Sequence, residues 1–268
     1  MNSIRFLVVN YLLGPFLGIM VCLLETVRII NIRHFDRYPL WEEKIIIVSN
    51  HPSLLEPVLI PLLGFPWMNF PWIFSPLWSR VKFSLNWFKK LQKEFSLQRK
   101  LVPVNAPDKK NFYDPPYMGL LQGINIPVDR DGGMRERSSA ASALKQILES
   151  GGRILIFPEG TRTFKTKLET RHRTENGKEL GELKDGVAWL ALTTGAKIIP
   201  VWIEGSDRFL PNNKLPIPRF WHRVTINIGN SFTLDKINYP GTPKSARKRG
   251  SEIIAHALLE TGDELGVR

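Results

Sequence analysis

The sequence predicts an α/β domain with a mostly parallel or mixed central sheet flanked by helices. Short β-branched runs, such as 44–48, 153–157 and 197–203, alternate with stretches of helical apolar spacing, such as 138–150 and 186–192. Strands alternating with helices imply a layered α/β architecture. Polar and charged residues gather directly after the first three strands, where open α/β sheets place their sites.

Taken in order, residues 6–24 read FLVVNYLLGPFLGIMVCLL, apolar apart from Asn10 and without charge. A helix over this stretch rises about 28 Å, close to the hydrocarbon thickness of a bilayer. A signal peptide and a buried core helix are the competing readings; a membrane anchor fits best, because no small-residue cleavage site follows. Gly14-Pro15 kinks or breaks the segment, so a re-entrant element in one leaflet fits as well as a span. Arg28, Arg33 and Arg37 follow it, against Arg5 alone before it, which puts the body of the protein on the cytoplasmic side. The chain therefore divides into an N-terminal anchoring segment and connection, 1–40, and one domain, 41–268.

Residues 44–48 read as a buried strand ended by His51-Pro52, with a helix from there to about Leu63. Pro66, Pro71 and Pro76 forbid a long helix in the next stretch. Residues 78–97 fit an amphipathic helix in which lysines mix with aromatics, a composition suited to the headgroup interface. Residues 102–117 read as a loop, and 124–128 as a second strand running into a turn at Asp129. A helix over 138–150 stops at Gly151-Gly152, and a third strand over 153–157 ends at Pro158. Residues 163–182 are highly charged and read as a flexible loop. A helix over 186–192, strands over 197–203 and 224–228, and a helix capped by Thr242-Pro243 and reaching about Leu259 complete the pattern.

The chain has 268 residues and a formal net charge of +12. That excess of positive charge favours an anionic partner such as phospholipid headgroups or phosphorylated metabolites. No zinc-finger, basic-zipper or RRM pattern is present, so nucleic acid is not the expected partner. The single cysteine, Cys22, supports neither a disulfide framework nor a Cys/His metal cluster, and no metal is expected.

Two segments carry chemistry. In Ser49-Asn50-His51-Pro52-Ser53-Leu54-Leu55-Glu56 an imidazole and a carboxylate follow a strand. Histidine titrates near neutrality and accepts a proton from a hydroxyl. Positions i and i+5 of one helix do not face each other. Glu56 therefore reaches His51 only if His51 precedes the helix and folds back over its first turn. It would then accept the Nδ1 proton and leave Nε2 as the base. In Phe157-Pro158-Glu159-Gly160-Thr161-Arg162, Gly160 allows close backbone approach, and Thr161 and Arg162 offer donors to a phosphate. Glu159 binds a substrate hydroxyl or holds the arginine. Arg130 and Lys184 are further phosphate-binding candidates. No Gly-x-Ser-x-Gly elbow exists, which disfavours a serine hydrolase.

In order and spacing these blocks resemble the glycerolipid acyltransferases typified by 1-acyl-glycerol-3-phosphate acyltransferase. The family's histidine, four residues and acid are matched by His51 to Glu56, where aspartate is usual. Gly123 to Arg130 matches a second block, Phe157 to Arg162 a third residue for residue, and Ile198 to Gly205 a fourth. The resemblance implies direct transfer from acyl-CoA or acyl-carrier protein to a lysophospholipid hydroxyl, with no cofactor beyond the donor. It implies His51 as base and Glu56 as its orienting partner. It also implies that Arg130, Glu159, Gly160, Thr161, Arg162 and, more weakly, Lys184 bind the glycerol phosphate part. Glycerol 3-phosphate or another lysolipid is the alternative acceptor. A non-catalytic lipid-binding protein at the membrane surface is the alternative of another class.

Overall fold

The structure is a computed structural model and describes residues 20–21, 23–39, 42–63, 103–112, 125–129, 131–211, 217–234 and 242–266. The fold is α/β, with a mixed sheet covered by helices on both faces. Its strands are β1 (Ile30–Arg33), β2 (Ile45–Ser49), β3 (Val104–Asn105), β4 (Arg153–Ile156), β7 (Lys197–Glu204), β8 (Val224–Ile228) and β9 (Phe232–Thr233). Between β4 and β7 in the chain lies a separate hairpin, β5 (His172–Arg173) and β6 (Glu179–Leu180). The helices are α1 (Glu56–Leu63), α2 (Lys109–Phe112), α3 (Met134–Glu149), α4 (Gly186–Thr194), α5 (Ser206–Phe209) and α6 (Pro243–Asp263).

The sheet order is β1-β8-β7-β2-β4-β3, with β9 beside β7. Strands β7, β2, β4 and β3 are parallel to one another, and β8 runs against β7. β2 lies between two parallel neighbours, and all five of its residues are buried, as expected of a strand covered on both faces. Its side chains alternate between two cores. Ile45 and Ile47 pack with Leu59, Ile60 and Leu63 of α1. Ile46 and Val48 pack with Leu144 and Leu148 of α3, Ala188 and Ala191 of α4, and Ile254 and Leu258 of α6. Each such isoleucine contributes on the order of 1.5–3 kcal/mol by leaving water.

Helix α1 begins at Glu56, four residues later than the sequence pattern indicates. Residues 52–55 form a bend, and Pro57 rather than Pro52 occupies the first turn. Within α1, Pro61 has no N–H to give the carbonyl of Pro57. Asn105 of β3 supplies the missing bond, its Nδ2 donating to Pro57 O at 3.1 Å. That bond docks α1 against the far edge of the sheet.

Three other segments differ from the sequence reading. The described part of 102–117 holds β3 and α2 instead of loop, because Val104 and Asn105 pair in parallel with Ile154 and Leu155. The expected strand over 124–128 is reduced, over its described residues, to an edge contact in which Ile126 N and Val128 N donate to Asn105 O and Pro107 O. Pro107 and Pro127 remove the donors that a continuous ladder needs.

The charged stretch 163–182 is folded rather than loose. Two 3-10 turns lead into the β5–β6 hairpin. Glu179 pairs with Arg171 at 2.8 Å and also with Arg173. Lys178 reaches Glu204 at 2.8 Å, and Thr174 Oγ1 donates to Asp263 of α6 at 2.7 Å.

The expected anchoring segment lies almost wholly outside the described residues; 23–26 are helical. Among the described residues no helix is long and apolar enough to cross a membrane. The aromatic-rich amphipathic stretch expected over 78–97 also lies outside them.

The hydrogen bond from Arg171, with that from Arg173, holds the Glu179 carboxyl below the usual glutamate range. A depressed carboxylate stabilises the fold above its unfolded value and loses that contribution as pH falls through the folded value. Hydrogen exchange at the hairpin amides should therefore accelerate selectively, relative to α6, as pH drops below about 4.3. Glu179→Gln should show the faster exchange already at neutral pH.

Candidate active site

The parallel strands β2, β4 and β7 all end on the same side of the sheet, and the loops that leave them are tied together there. Asn50 takes the first step. Its side-chain amide acts as an extra peptide unit, with Nδ2 donating to Ile203 O at 2.8 Å and Oδ1 accepting from Ile203 N at 2.8 Å. The β2–β7 pairing is thus held for one more rung while the backbone turns out of the sheet. His51 follows immediately and is fixed from both sides. Its N–H donates to Glu159 Oε1 at 3.3 Å, and its carbonyl accepts from Thr163 N at 3.0 Å.

The imidazole stacks on the ring of Phe157, with centroids 4.3 Å apart and planes 21° from parallel. Its Nδ1 lies 3.0 Å from Glu56 Oε2. Because His51 precedes the bend at 52–55, the chain reverses and brings the first residue of α1 back onto the ring. Glu56 is fully buried. A buried carboxylate with few partners costs several kcal/mol, and this one has four. Oε2 accepts from His51 Nδ1 and from Ser53 N at 3.0 Å. Oε1 accepts from Ser53 Oγ at 2.8 Å and from Ser206 Oγ. It also sits at the N-terminus of α1, where the helix dipole favours negative charge. An ionised Glu56 accepts only, so its 3.0 Å contact suits a proton on Nδ1, a tautomer that leaves the lone pair on Nε2.

Ser206 comes from the end of β7 by a turn that needs glycine. Gly205 has φ +81, and a Cβ there would stand 2.2 Å from Arg223 O. The turn starts α5 at once, so the hydroxyl of Ser206 arrives at Glu56.

The segment after β4 meets the same place. Glu159 is 2% exposed and its oxygens face the protein. Oε1 accepts from Thr163 Oγ1 at 2.7 Å and from His51 N, and Oε2 accepts from Gly181 N at 2.9 Å. Burial pushes its pKa up, and these hydrogen bonds pull against that rise. Its position is that of a strut joining the His51 loop, the 159–163 loop and the approach to α4. Gly160 follows with φ +67, a left-handed turn that a side chain would strain. The stem of Lys184 lies beside it: a Cβ on Gly160 would be 3.6 Å from Lys184 Cγ. Lys184 N donates to Pro158 O at 2.8 Å. Thr161 and Arg162 are half-buried, and Lys184 is exposed.

Arg162 directly precedes Thr163, whose amide binds His51. The structure thus brings His51, Glu56 and Glu159 into one bonded set, with Gly160, Thr161 and Arg162 following Glu159 in the same loop and the stem of Lys184 beside Gly160. Arg130 lies outside the described residues. A cleft of about 380 Å³ opens alongside, lined by Asn50, Pro52, Thr163, Lys178, Trp202 and Glu204 among others.

Four supporting residues were not picked out as such from the sequence: Asn50, Ser53, Ser206 and Gly181. One had a readable signal. Ser53-x-x-Glu56 is the capping-box pattern, in which the glutamate takes the N–H of the serine. Ser206 and Gly181 act across the fold and carried none.

The sequence model of the acyltransferase family matches residues 26–204. The match spans about two thirds of the chain and runs from the helical stretch before β1 to the end of β7, and the chain belongs to this family. Among solved structures the chain is similar to the crystal structure of the 1-acyl-sn-glycerophosphate (LPA) acyltransferase PlsC from Thermotoga maritima. The identity is 17% and the TM-score 0.49, over 88% of this chain and 73% of that one.

Removing Ser206 Oγ withdraws one of the four donors from a buried carboxylate. Ser206→Ala should lower the unfolding free energy by about 1.5–3 kcal/mol, against less than about 0.5 for the exposed neighbour Asp207→Ala. Chemical denaturation of the two variants measures the difference.

Proposed function

We propose that the protein transfers a fatty acyl group from a thioester, acyl-CoA or acyl-carrier protein, to the free hydroxyl of a lysophospholipid. We take the acceptor to be 1-acyl-glycerol-3-phosphate and the product phosphatidic acid. Family membership supports acyl transfer. The observation that carries the mechanism is the 3.0 Å contact between His51 Nδ1 and a Glu56 carboxylate that is otherwise bonded only to donors.

In this reading Nε2 of His51 removes the acceptor's hydroxyl proton as that oxygen attacks the thioester carbonyl carbon. The tetrahedral intermediate collapses with cleavage of the C–S bond, and the imidazolium returns the proton to the departing sulfur. No acyl-enzyme forms. Glu56 stabilises the imidazolium and keeps Nδ1 protonated in the resting ring. Gly160, Thr161 and Arg162 offer backbone and side-chain donors to the acceptor phosphate within one loop of the base, Lys184 adds a positive charge, and Arg130 is assigned the same task. Glu159 holds the loop that presents them. The N-terminal segment 1–40 anchors the enzyme, with its catalytic domain on the cytoplasmic side. A non-catalytic lipid-binding protein would have no use for a histidine backed by a buried carboxylate.

His51→Ala should lower turnover at least about a thousandfold. Arg162→Ala should mainly raise the KM for the phosphorylated acceptor, by several-fold or more, with kcat largely kept. Assays on a panel of lysolipids and glycerol 3-phosphate with both donor types test both variants. Acyl transfer retained by purified His51→Ala removes the mechanism, and an unchanged KM removes Arg162 from the phosphate site.

A further inference from the structure

The segment before β8 has an unusual surface. Ile217, Phe220 and Trp221 are all exposed, Trp221 at 75%. They are not loose. Arg219 N donates to Phe209 O at 2.8 Å, His222 N closes a turn on Arg219 O at 3.0 Å, and Phe220 sets its ring edge-on to the buried Phe209 at 5.7 Å. A built turn thus presents an indole to solvent. Around it stand Arg208, Arg219 and Arg223, all exposed, and none forms an ion pair with a carboxylate among the described residues. Asp207 is the acidic residue on this stretch.

The position of this turn is fixed by the sheet. β8 runs against β7, so its start lies beside the end of β7, with Glu204 opposite Thr225. That is the end of the sheet where His51 sits. β1 joins β8 there as well, with Ile30 opposite Val224 and Val224 N donating to Ile29 O at 2.8 Å. The turn therefore adjoins the point where the apolar N-terminal segment enters the domain. Val27 and Leu23 of that stretch are exposed, as are Leu54 and Val58 beside His51. Their neighbours Leu24, Ile29, Leu55, Leu59, Phe209 and Leu210 all pack into one core cluster, so these exposed apolar side chains belong to elements covering one face of the sheet.

We propose that the turn 217–223, with Trp221 and Phe220 as wedges and Arg208, Arg219 and Arg223 as charge contacts, is a second membrane contact that seats the His51 end of the domain on an anionic bilayer. Protruding Trp and Phe among arginines that form no ion pair with the described residues match the headgroup layer, where indoles settle and anionic lipid attracts guanidinium groups. Continuity with the apolar segment that enters beside it, and the arginines that flank the two rings, favour an anionic lipid surface over a protein partner. The contact orients the domain. The N-terminal segment alone would only tether it.

The test reads position 221 locally, so that anchoring by the N-terminus does not mask the result, and uses no substrate, so that it stands apart from the acyltransferase reading. Full-length Trp221→Cys in a Cys22→Ser background is labelled with bimane and bound to vesicles of three parts phosphatidylcholine to one part phosphatidylglycerol. Brominated lipids should quench the label at least twofold relative to unbrominated ones, and adding Arg219→Glu and Arg223→Glu should remove most of that quenching. Equal emission in both vesicle types with full access to aqueous iodide would overturn the proposal. A blue shift that grows with protein concentration in the absence of vesicles would also overturn it, by assigning the face to a second copy of the chain.

Discussion

The structure turns on one buried carboxylate. Glu56 sits at the start of a short helix, beside the ends of the interior strands β2 and β7, out of contact with water. Four hydrogen bonds from three residues beside itself, His51, Ser53 and Ser206, make that position tolerable. Those residues come from the end of β2, the bend before α1 and the end of β7. If any of the three elements moved, the carboxylate would lose a donor in a place where water does not replace it. The same set of bonds that makes the burial affordable also orients the imidazole, so stability and chemistry share one cause.

The loops are stitched before any substrate arrives. Asn50 holds β2 to β7 beyond the last strand residue, and Glu159 takes the backbone of His51 and of Gly181 together. Thr163 closes the circuit by donating to the carbonyl of His51. The backbone that carries Arg162 is thereby tied to His51 through Thr163, and that of Lys184 to Pro158. Preorganisation of this kind is what a site needs when the reacting partners are bound at different points and must meet in one geometry. The hairpin β5–β6 walls the adjoining cleft through Lys178 and Glu179, and its ion pairs tie it to β7 and, through Thr174, to α6.

Much of this was legible in the sequence, for reasons that can be stated. The interior strands β2, β4 and β7 carry continuous apolar runs, and those are visible wherever a strand is buried on both faces; β8 shows instead as a five-residue alternation of Val224, Ile226 and Ile228 with Thr225 and Asn227. The helices α3, α4 and α6 carried helical spacing with glycine or threonine-proline punctuation. The edge strands were not visible. β1 alternates apolar with polar residues over only four positions, and β3 is two residues long and lies among prolines. The start of α1 was misplaced because Pro52 and Pro57 are equally good first-turn residues, and only the burial of Glu56 decides between them. The charged stretch 163–182 read as loop because its order comes from Arg171, Arg173, Lys178 and Thr174 finding partners, two of them far away in the chain. In the site, the His51–Glu56 pairing was legible only on the condition that His51 precedes the helix, because positions i and i+5 of one helix do not face each other; the family resemblance supplied the rest. The inward turn of Glu159 and the arrival of Ser206 depend on Gly181 and Gly205, whose roles exist only in three dimensions.

The central claim is that Glu56 fixes His51 as the Nδ1-protonated tautomer with Nε2 available as base. Long-range proton–nitrogen NMR of the histidine rings, at a pH where His51 is neutral, reads this directly. The account predicts a protonated Nδ1 and an unprotonated Nε2 for His51, and a mixture of tautomers once Glu56 is changed to alanine. A His51 ring protonated at Nε2 in the unaltered protein would contradict it.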